Sequence, residues 1–214
     1  LGLRITLAAD NGFYSQAGEL RARGWPLCAS SLRRLPPMLP PRVDDGGDLP
    51  KTGLGSSATL VTSLLGALLH LFGAIELPSR LTAKGPGSSS SSSLSSAGTL
   101  QGQAALDVLH SLAQLCHCAA QGKVGSGFDV CSATFGSHVY KRFSPSVIAD
   151  LLALPVGVPP PPGALRDCVG LGGGNVRVGG GAASASGGGG KTVAWDHEVK
   201  PFALPPGVEV IMAD

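Results

Sequence analysis

One stretch limits what this chain can fold into: Lys51-Thr52-Gly53-Leu54-Gly55-Ser56-Ser57-Ala58. Gly53 and Gly55 sit two apart, so the backbone can turn tightly and approach a ligand closely. Ser56 and Ser57 follow where a helix would begin. The run from Leu60 to Phe72 then continues at helical spacing. Leu60, Val61, Leu64, Leu65, Leu68, Leu71 and Phe72 form one face of that helix, and Thr59, Thr62, Ser63, Gly66 and His70 the other. The second face is small and weakly polar, so the helix is expected to be buried on most sides. His70 reads as a capping or core residue. A glycine turn feeding a helix N-terminus offers backbone N–H groups and a positive dipole end, which suit a phosphate. Lys51 sets a cation just before the turn. The plainer alternative is a helix capped by Ser56 or Ser57. The spacing is not that of a P-loop, which places Gly-Lys-Ser/Thr after the loop. No Gly-x-Ser-x-Gly surrounds Ser56, so it is not a nucleophile elbow either.

A second glycine-rich stretch follows a second helix. Thr99 to Gln121 has helical periodicity, with Ala104, Ala105, Val108, Leu109, Leu112, Leu115, Cys116 and Ala119 as its expected buried face. Gln121-Gly122-Lys123-Val124-Gly125-Ser126-Gly127-Phe128-Asp129-Val130 then ends that helix and presents one carboxylate, Asp129. Val130 to Phe135 reads as a short helix that Asp129 caps, unless its carboxylate aims into a cleft. His138 to Phe143 reads as a strand carrying Lys141 and Arg142.

The flanks are less ordered in pattern. Leu3 to Leu7 alternates apolar with polar, a strand signal, and Asn11-Gly12 is a turn dipeptide of hairpin type. Phe13-Tyr14-Ser15-Gln16 reads either as a loop anchored by an aromatic or as a substrate-side loop with hydroxyl and amide donors. Leu35 to Pro50 reads as a loop. Residues 84–98, with serine unbroken from Ser88 to Ser93, are expected to be a disordered insertion. Residues 151–190 hold Pro159 to Pro162 and a glycine tract, and read as a linker or insertion. Residues 191–214 return to strands, with candidates at Thr192 to Trp195 and Val208 to Ile211. Trp195-Asp196-His197-Glu198 reads as an exposed strand end, and no internal repeat is visible.

Composition excludes several classes. The 214 residues suffice for one large domain or one and a half ordinary ones, and 43% hydrophobic content supports a core. Charge is only 14%, a deficit explained by 32 glycines, 17 prolines and the serine run. A net charge of +2 is too mild to argue for nucleic acid. Five scattered cysteines favour a reducing compartment over a disulfide framework. Cys116-His117-Cys118 is not read as a zinc site, because neighbours two apart on a helix point to different faces. Leu60 to Leu77 is interrupted by Thr62, Ser63, Gly66, His70 and Glu76, so no membrane span is expected.

The two glycine-rich loops suit phosphoryl transfer, which needs donor phosphates held in line, a metal ion, and cations where negative charge accumulates. Backbone N–H groups from Gly53 to Ala58 would hold ATP. Ser56 or Ser57 would offer a hydroxyl to Mg²⁺, a hard cation that prefers oxygen. Lys51 and Lys123 would neutralise phosphate charge, and Asp129 would orient or deprotonate the acceptor.

Gly53-Leu54-Gly55-Ser56-Ser57-Ala58 resembles the central phosphate-binding motif of the GHMP kinases. Together with Gln121 to Val130, Tyr140 to Pro145, Ala9-Asp10-Asn11 before Phe13-Tyr14-Ser15-Gln16, and Trp195 to Glu198 before Pro201-Phe202, it is similar to the eukaryotic-type phosphomevalonate kinase branch. These patches cover about half the chain, in family order. The resemblance implies an α+β, two-lobed GHMP-kinase-like fold. In that fold, residues 1–150 would be part of the ATP-binding lobe and 191–214 would lead into the C-terminal lobe. It also implies transfer of the ATP γ-phosphoryl group to 5-phosphomevalonate, in the mevalonate route to isoprenoids and sterols, in a cytoplasmic or peroxisomal setting. By matching motifs, Asp129 takes the place of the active-site aspartate, with Lys51 beside the ATP loop formed by Gly53, Leu54, Gly55, Ser56, Ser57 and Ala58. Ser15, Gln16, Lys123, Ser126, Gly127 and Arg142 are then expected at the substrate, and Ser56 and Ser57 at the metal. Gly12 departs from the family's aspartate. The N-terminal lysine motif and the C-terminal glycine-rich motif of the family are not found, so the sequence is expected to be an internal piece with half an active site, whose own activity the sequence leaves open. The alternatives are another GHMP small-molecule kinase, such as mevalonate kinase, and a non-catalytic nucleotide-binding fragment.

Overall fold

The computed structural model describes residues 2–43, 46–77, 98–155, 157–170 and 195–210. The expected serine-rich insertion at 84–98 lies outside them except for Gly98, as do the glycine tract at 171–190, the strand residues 192–194, and Ile211. The chain divides into two compact units, Leu1–Leu60 with Glu209–Asp214 and Val61–Val208. Among the described residues the secondary structure is mixed, mainly helical with one two-stranded sheet.

In the first unit a 3-10 turn at Asn11–Phe13 is capped by Asp10, whose carboxylate accepts from the Gly12 N–H at 2.8 Å. Asn11-Gly12 therefore opens a 3-10 turn and not a hairpin. Two short helices follow, α1 (Ala17–Ala22) and α2 (Ala29–Leu32). Glu19 on α1 binds Arg23 at 2.6 Å and also Arg42, tying the proline-rich loop down. Both arginines hold its carboxyl below the usual range. The Arg23 and Arg34 guanidinium groups lie 5.3 and 4.3 Å from the Trp25 ring, within cation–π range. Asn11 joins two loops: its amide donates to the Pro36 carbonyl and its oxygen accepts from the Leu39 N–H, both at 2.8 Å. Leu3 to Leu7 carries no strand, and Leu3, Ile5 and Leu7 are about half exposed. Alternation makes a strand only where a partner supplies the ladder, and among the described residues none pairs with this one.

Helix α3 (Ser56–Leu71) begins at the glycine turn, and the division between the units falls within it. Its deepest stripe is Ala58, Thr62 and Gly66, spaced by four. The leucine face expected to be core is shallower: Leu60, Leu71 and Phe72 are exposed. At Gly66 the Leu109 and Leu77 side chains pack over this stripe, 3.5–3.8 Å from where a Cβ would lie. His70 closes the helix end with Nδ1 3.2 Å from the Ile75 carbonyl.

The second unit is built on α4 (Gly102–Gln121). Ile75, Ala105 and Leu109 form one cluster, lined by Leu65, Leu69, Leu77 and Leu100. Leu115, Cys118, Phe143, Val147, Ile148 and Cys168 form another. The expected face holds at Ala104, Ala105, Val108, Leu109 and Leu115, but Cys116 and Ala119 are exposed. In their place His110, Ser111, Gln114 and His117 are buried, because α5 (Phe128–Phe135), β1 (His138–Lys141) and the 195–197 segment wrap the polar side of the helix. Helix α6 (Ser146–Leu152) brings Ile148 into the core and runs two residues into the expected linker, which also holds a folded piece of its own, helix α7 (Ala164–Cys168), with Cys168 in the core.

Strand β2 (Glu198–Pro201) pairs antiparallel with β1, with Lys141 opposite Glu198. These two side chains meet at 2.8 Å, a favourable cross-strand pair. The Trp195–Glu198 segment is not an exposed end. The Trp195 indole donates to the Cys168 carbonyl at 2.6 Å and packs 4.9 Å from the Phe143 ring. Asp196 accepts from the Ser144 N–H and hydroxyl, which hold its carboxyl below the usual range. His197 lies 4.6 Å from the His110 ring.

Candidate active site

Each unit carries its own cluster of candidate residues. In the first, Gly53 and Gly55 both adopt positive φ, +75° and +77°. No atom lies within 4 Å of where a Cβ at Gly53 would sit, so the demand for glycine there is conformational, not steric. The Gly55 carbonyl accepts the first helical bond, from the Thr59 N–H at 3.0 Å. The first-turn N–H groups of a helix fall outside its i→i−4 ladder, and here they follow the two glycines directly. Leu54 is exposed, Ser56 half-buried and Ser57 exposed. The Ala58 side chain is wholly buried and belongs to the packing.

The segment delivering Lys51 is stitched to the loop at 13–16. Tyr14 and Lys51 form an antiparallel bridge, with the Ser15 N–H bound to the Pro50 carbonyl at 2.8 Å and the Thr52 N–H to the Phe13 carbonyl at 3.2 Å. The Thr52 hydroxyl adds a bond to the Gly12 carbonyl at 2.6 Å. This pairing brings Ser15 and Gln16 beside Lys51. The same loop walls a cavity of about 610 Å³. Asn11, Tyr14, Ser15, Gln16 and Thr52 supply its polar lining, and Leu20, Leu32 and Leu35 its apolar lining. The Gln16 amide nitrogen is engaged by the Asn11 and Tyr14 carbonyls, both at 3.0 Å. The Ser15 hydroxyl accepts from the Ala17 N–H at the start of α1. Cys28 also lines the cavity, and hydrogen bonds with the Ser30 and Ser31 hydroxyls lower its thiol to about 7. The sequence named Asn11, Tyr14 and Thr52 only as members of their stretches and gave none of them a site role. Their spacing to one another carries no pattern, because the bridge joining them closes a loop of nearly forty residues.

In the second unit the loop from Gly122 to Gly127 joins α4 to α5. Gly122 is left-handed, its N–H bonds to the Ala119 carbonyl, and the Lys123 N–H reaches the Cys118 carbonyl. This is a Schellman closure. Gly127, at φ +86°, starts α5. A Cβ there would lie 2.7 Å from Gln114 Oε1, 2.8 Å from the Tyr140 hydroxyl and 3.1 Å from Phe143. Here glycine is required on both counts, and this contact sets where Asp129 stands. Asp129 occupies the first turn of α5, favourable to the helix dipole, and its Oδ1 accepts from the Val130 N–H at 2.9 Å. Its Oδ2 faces His117 Nδ1 at 3.8 Å. Lys123 and Ser126 are exposed on the loop. Arg142 is tied to that loop by a bond to the Val124 carbonyl at 3.4 Å. Lys123, Ser126, Gly127, Asp129 and Arg142 thus share one loop cluster, while Lys51, the residues from Gly53 to Ala58, Ser15 and Gln16 share another. His117 was missed as a neighbour of Asp129. The signal for it was present, a histidine four residues before Gln121 on a helix that packs against the next one.

Below this loop lies a buried polar group. Burial lowers His110 to about 3, with His197 and His138 adding to the effect. Burial also raises the Tyr140 hydroxyl to about 12. Among the described residues no partner binds either His110 nitrogen, Gln114 Oε1 or the Tyr140 hydroxyl.

No family model and no solved structure matches the chain. Curated relatives do. The peroxisomal phosphomevalonate kinase of Arabidopsis thaliana is 33% identical over 221 residues, covering 100% of this chain and 36% of its own. A phosphomevalonate kinase of Aspergillus fumigatus is 42% identical over 149 residues, 68% of this chain and 24% of its own. One from the archaeon Saccharolobus solfataricus is 45% identical over 94 residues, 44% of this chain and 20% of its own. The chain thus spans about a third or less of the length of these relatives. Identity of 33% along the whole chain with the plant relative, and of 42–45% over parts of it with fungal and archaeal relatives of the same name, means that the chain belongs to the phosphomevalonate kinase family.

Proposed function

We propose that the protein carrying this segment transfers the γ-phosphoryl group of ATP to 5-phosphomevalonate, giving 5-diphosphomevalonate for isoprenoid and sterol synthesis. The observation that carries this reading is the pair of left-handed glycines at 53 and 55, opening directly onto the N-terminus of α3. Backbone N–H groups from Gly53 to Ala58 would take the ATP phosphates, with Lys51 as the adjacent cation. Mg²⁺ would supply charge neutralisation for the transferring phosphates. Hydroxyls at Ser56 and Ser57 fit it, since they are hard oxygen donors at the mouth of the turn and Mg²⁺ takes few protein ligands beside phosphate. Ser15 and Gln16, in the cavity wall, and Lys123, Ser126, Gly127 and Arg142 would serve the acceptor.

The acceptor is itself a phosphate with a second pKa of about 6, so it is already ionised at neutral pH. The barrier lies in bringing two anions together, which puts the weight on cations and on positioning. Asp129 would orient the acceptor or a lysine instead of stripping a proton from it. In this reading residues 1–150 belong to the ATP-binding lobe of a two-lobed GHMP fold, 151–190 include an insertion, and 191–214 lead into the C-terminal lobe. The site would be cytoplasmic or peroxisomal. Among the described residues no helix is long and apolar enough to cross a membrane.

The test is ADP release by the full protein with Mg-ATP and each of 5-phosphomevalonate, mevalonate, homoserine and galactose. Turnover with 5-phosphomevalonate alone is expected. Turnover with another acceptor instead would overturn the substrate, and silence with all four would overturn the activity.

A further inference from the structure

We infer that His117 is a positioning residue for Asp129, with its proton held on Nδ1 by Gln121. The ring is buried on α4, its side chain 6% exposed, and both nitrogens have a partner in view. The amide nitrogen of Gln121 lies 3.0 Å from His117 Nε2, one helical turn on. An amide nitrogen only donates, so Nε2 accepts and the ring proton resides on Nδ1. That nitrogen faces Asp129 Oδ2 at 3.8 Å. The other carboxylate oxygen is already fixed by the Val130 N–H. Asp129 is thus held on one side by its own helix and faced on the other by a donor on α4.

The 3.8 Å separation is longer than a hydrogen bond. Such contacts commonly lengthen without substrate and tighten when the site is engaged. The tightening needs little movement here, because Gly127 fixes the start of α5 against Gln114, one turn before Cys118 on the same α4 that carries His117. Helix α4 therefore holds both the pivot of α5 and the group that orients its carboxylate. The chemical consequence is directional: a His117 N–H on Oδ2 orients the carboxylate and leaves its remaining lone pairs for the acceptor or a lysine.

Only the kinetic arm of the test rests on the phosphotransferase reading. Long-range ¹H–¹⁵N correlation spectra of the ¹⁵N-histidine-labelled protein report the tautomer directly. The Nδ1–H form is expected for His117, and a predominant Nε2–H form overturns the inference whatever the protein catalyses. In the kinetic arm, His117→Asn places an amide N–H near the Nδ1 position, and His117→Gln places one near Nε2. His117→Gln is expected to lower kcat about tenfold or more with acceptor KM little changed, whereas His117→Asn recovers most of that loss, as misplacement of a positioned group predicts. Equal losses in the two variants, with both folded by circular dichroism, would overturn the positioning role. No turnover in the unsubstituted protein would refute the phosphotransferase reading instead, and the tautomer would still decide the geometry.

Discussion

The most exacting demand the fold makes on its sequence is at Gly127. Replacing it with alanine adds one methyl group at φ +86°, where a Cβ meets Gln114 Oε1 at 2.7 Å and the Tyr140 hydroxyl at 2.8 Å. A left-handed L-residue costs about 1–2 kcal/mol. The clash adds about 1–3 kcal/mol, the usual range for overpacking. Gln114 is wholly buried and Phe143 is 1% exposed, so neither can swing into solvent. The expected loss for Gly127→Ala is therefore about 2–5 kcal/mol. Gly122 is the internal control: it is also left-handed, at φ +65°, but nothing lies within 4 Å of its Cβ position. Gly122→Ala should cost only the backbone part, about 1–2 kcal/mol. Urea unfolding followed by circular dichroism measures both. Equal losses in the two variants would refute the steric argument, and with it the claim that this contact fixes Asp129.

Three further outcomes follow from the same geometry. Gly66→Ala should stabilise the protein by about 0.5–1 kcal/mol in urea unfolding, because its Cβ would meet Leu109 and Leu77 at an ordinary 3.5–3.8 Å; destabilisation would contradict the room those leucines leave for a methyl group. His110 is held neutral down to about 3 by burial, against 6.5 in the unfolded chain. The unfolded state therefore binds the extra proton, so stability is full above pH 6.5 and falls by about 1.4 kcal/mol per pH unit below it. His110→Phe should flatten that slope, and an unchanged slope would refute the assignment. Gly55→Ala, strained at φ +77°, should weaken ATP binding about tenfold by calorimetry; unchanged affinity would remove the glycine turn from the nucleotide site.

Much of the frame was legible in the sequence. The 3.6-residue period gave α3 and α4 nearly to their ends, and the short helix and strand after Asp129 stand where the pattern put them. What escaped has a common cause. A period counts apolar residues on one element, whereas His110, Gln114 and His117 are buried by partners distant in sequence. Trp195 and His197 come from some eighty residues further on. Strand β2 is ordinary in sequence and exists because β1 offers it a ladder, while Leu3 to Leu7 has the better pattern and no such partner. The turn at 53 and 55 was readable, because positive φ there is a property of the residue type. The tie from Tyr14 to Lys51 was not, since a loop closed by two backbone bonds leaves no mark on its side chains.

The most direct test of the central claim is ³¹P NMR of the full protein turning over Mg-ATP with 5-phosphomevalonate. The account predicts that the monophosphate resonance of the acceptor gives way to the two coupled resonances of a diphosphate ester as the ATP γ-phosphate disappears. Loss of ATP to inorganic phosphate with the acceptor monophosphate unchanged would contradict it.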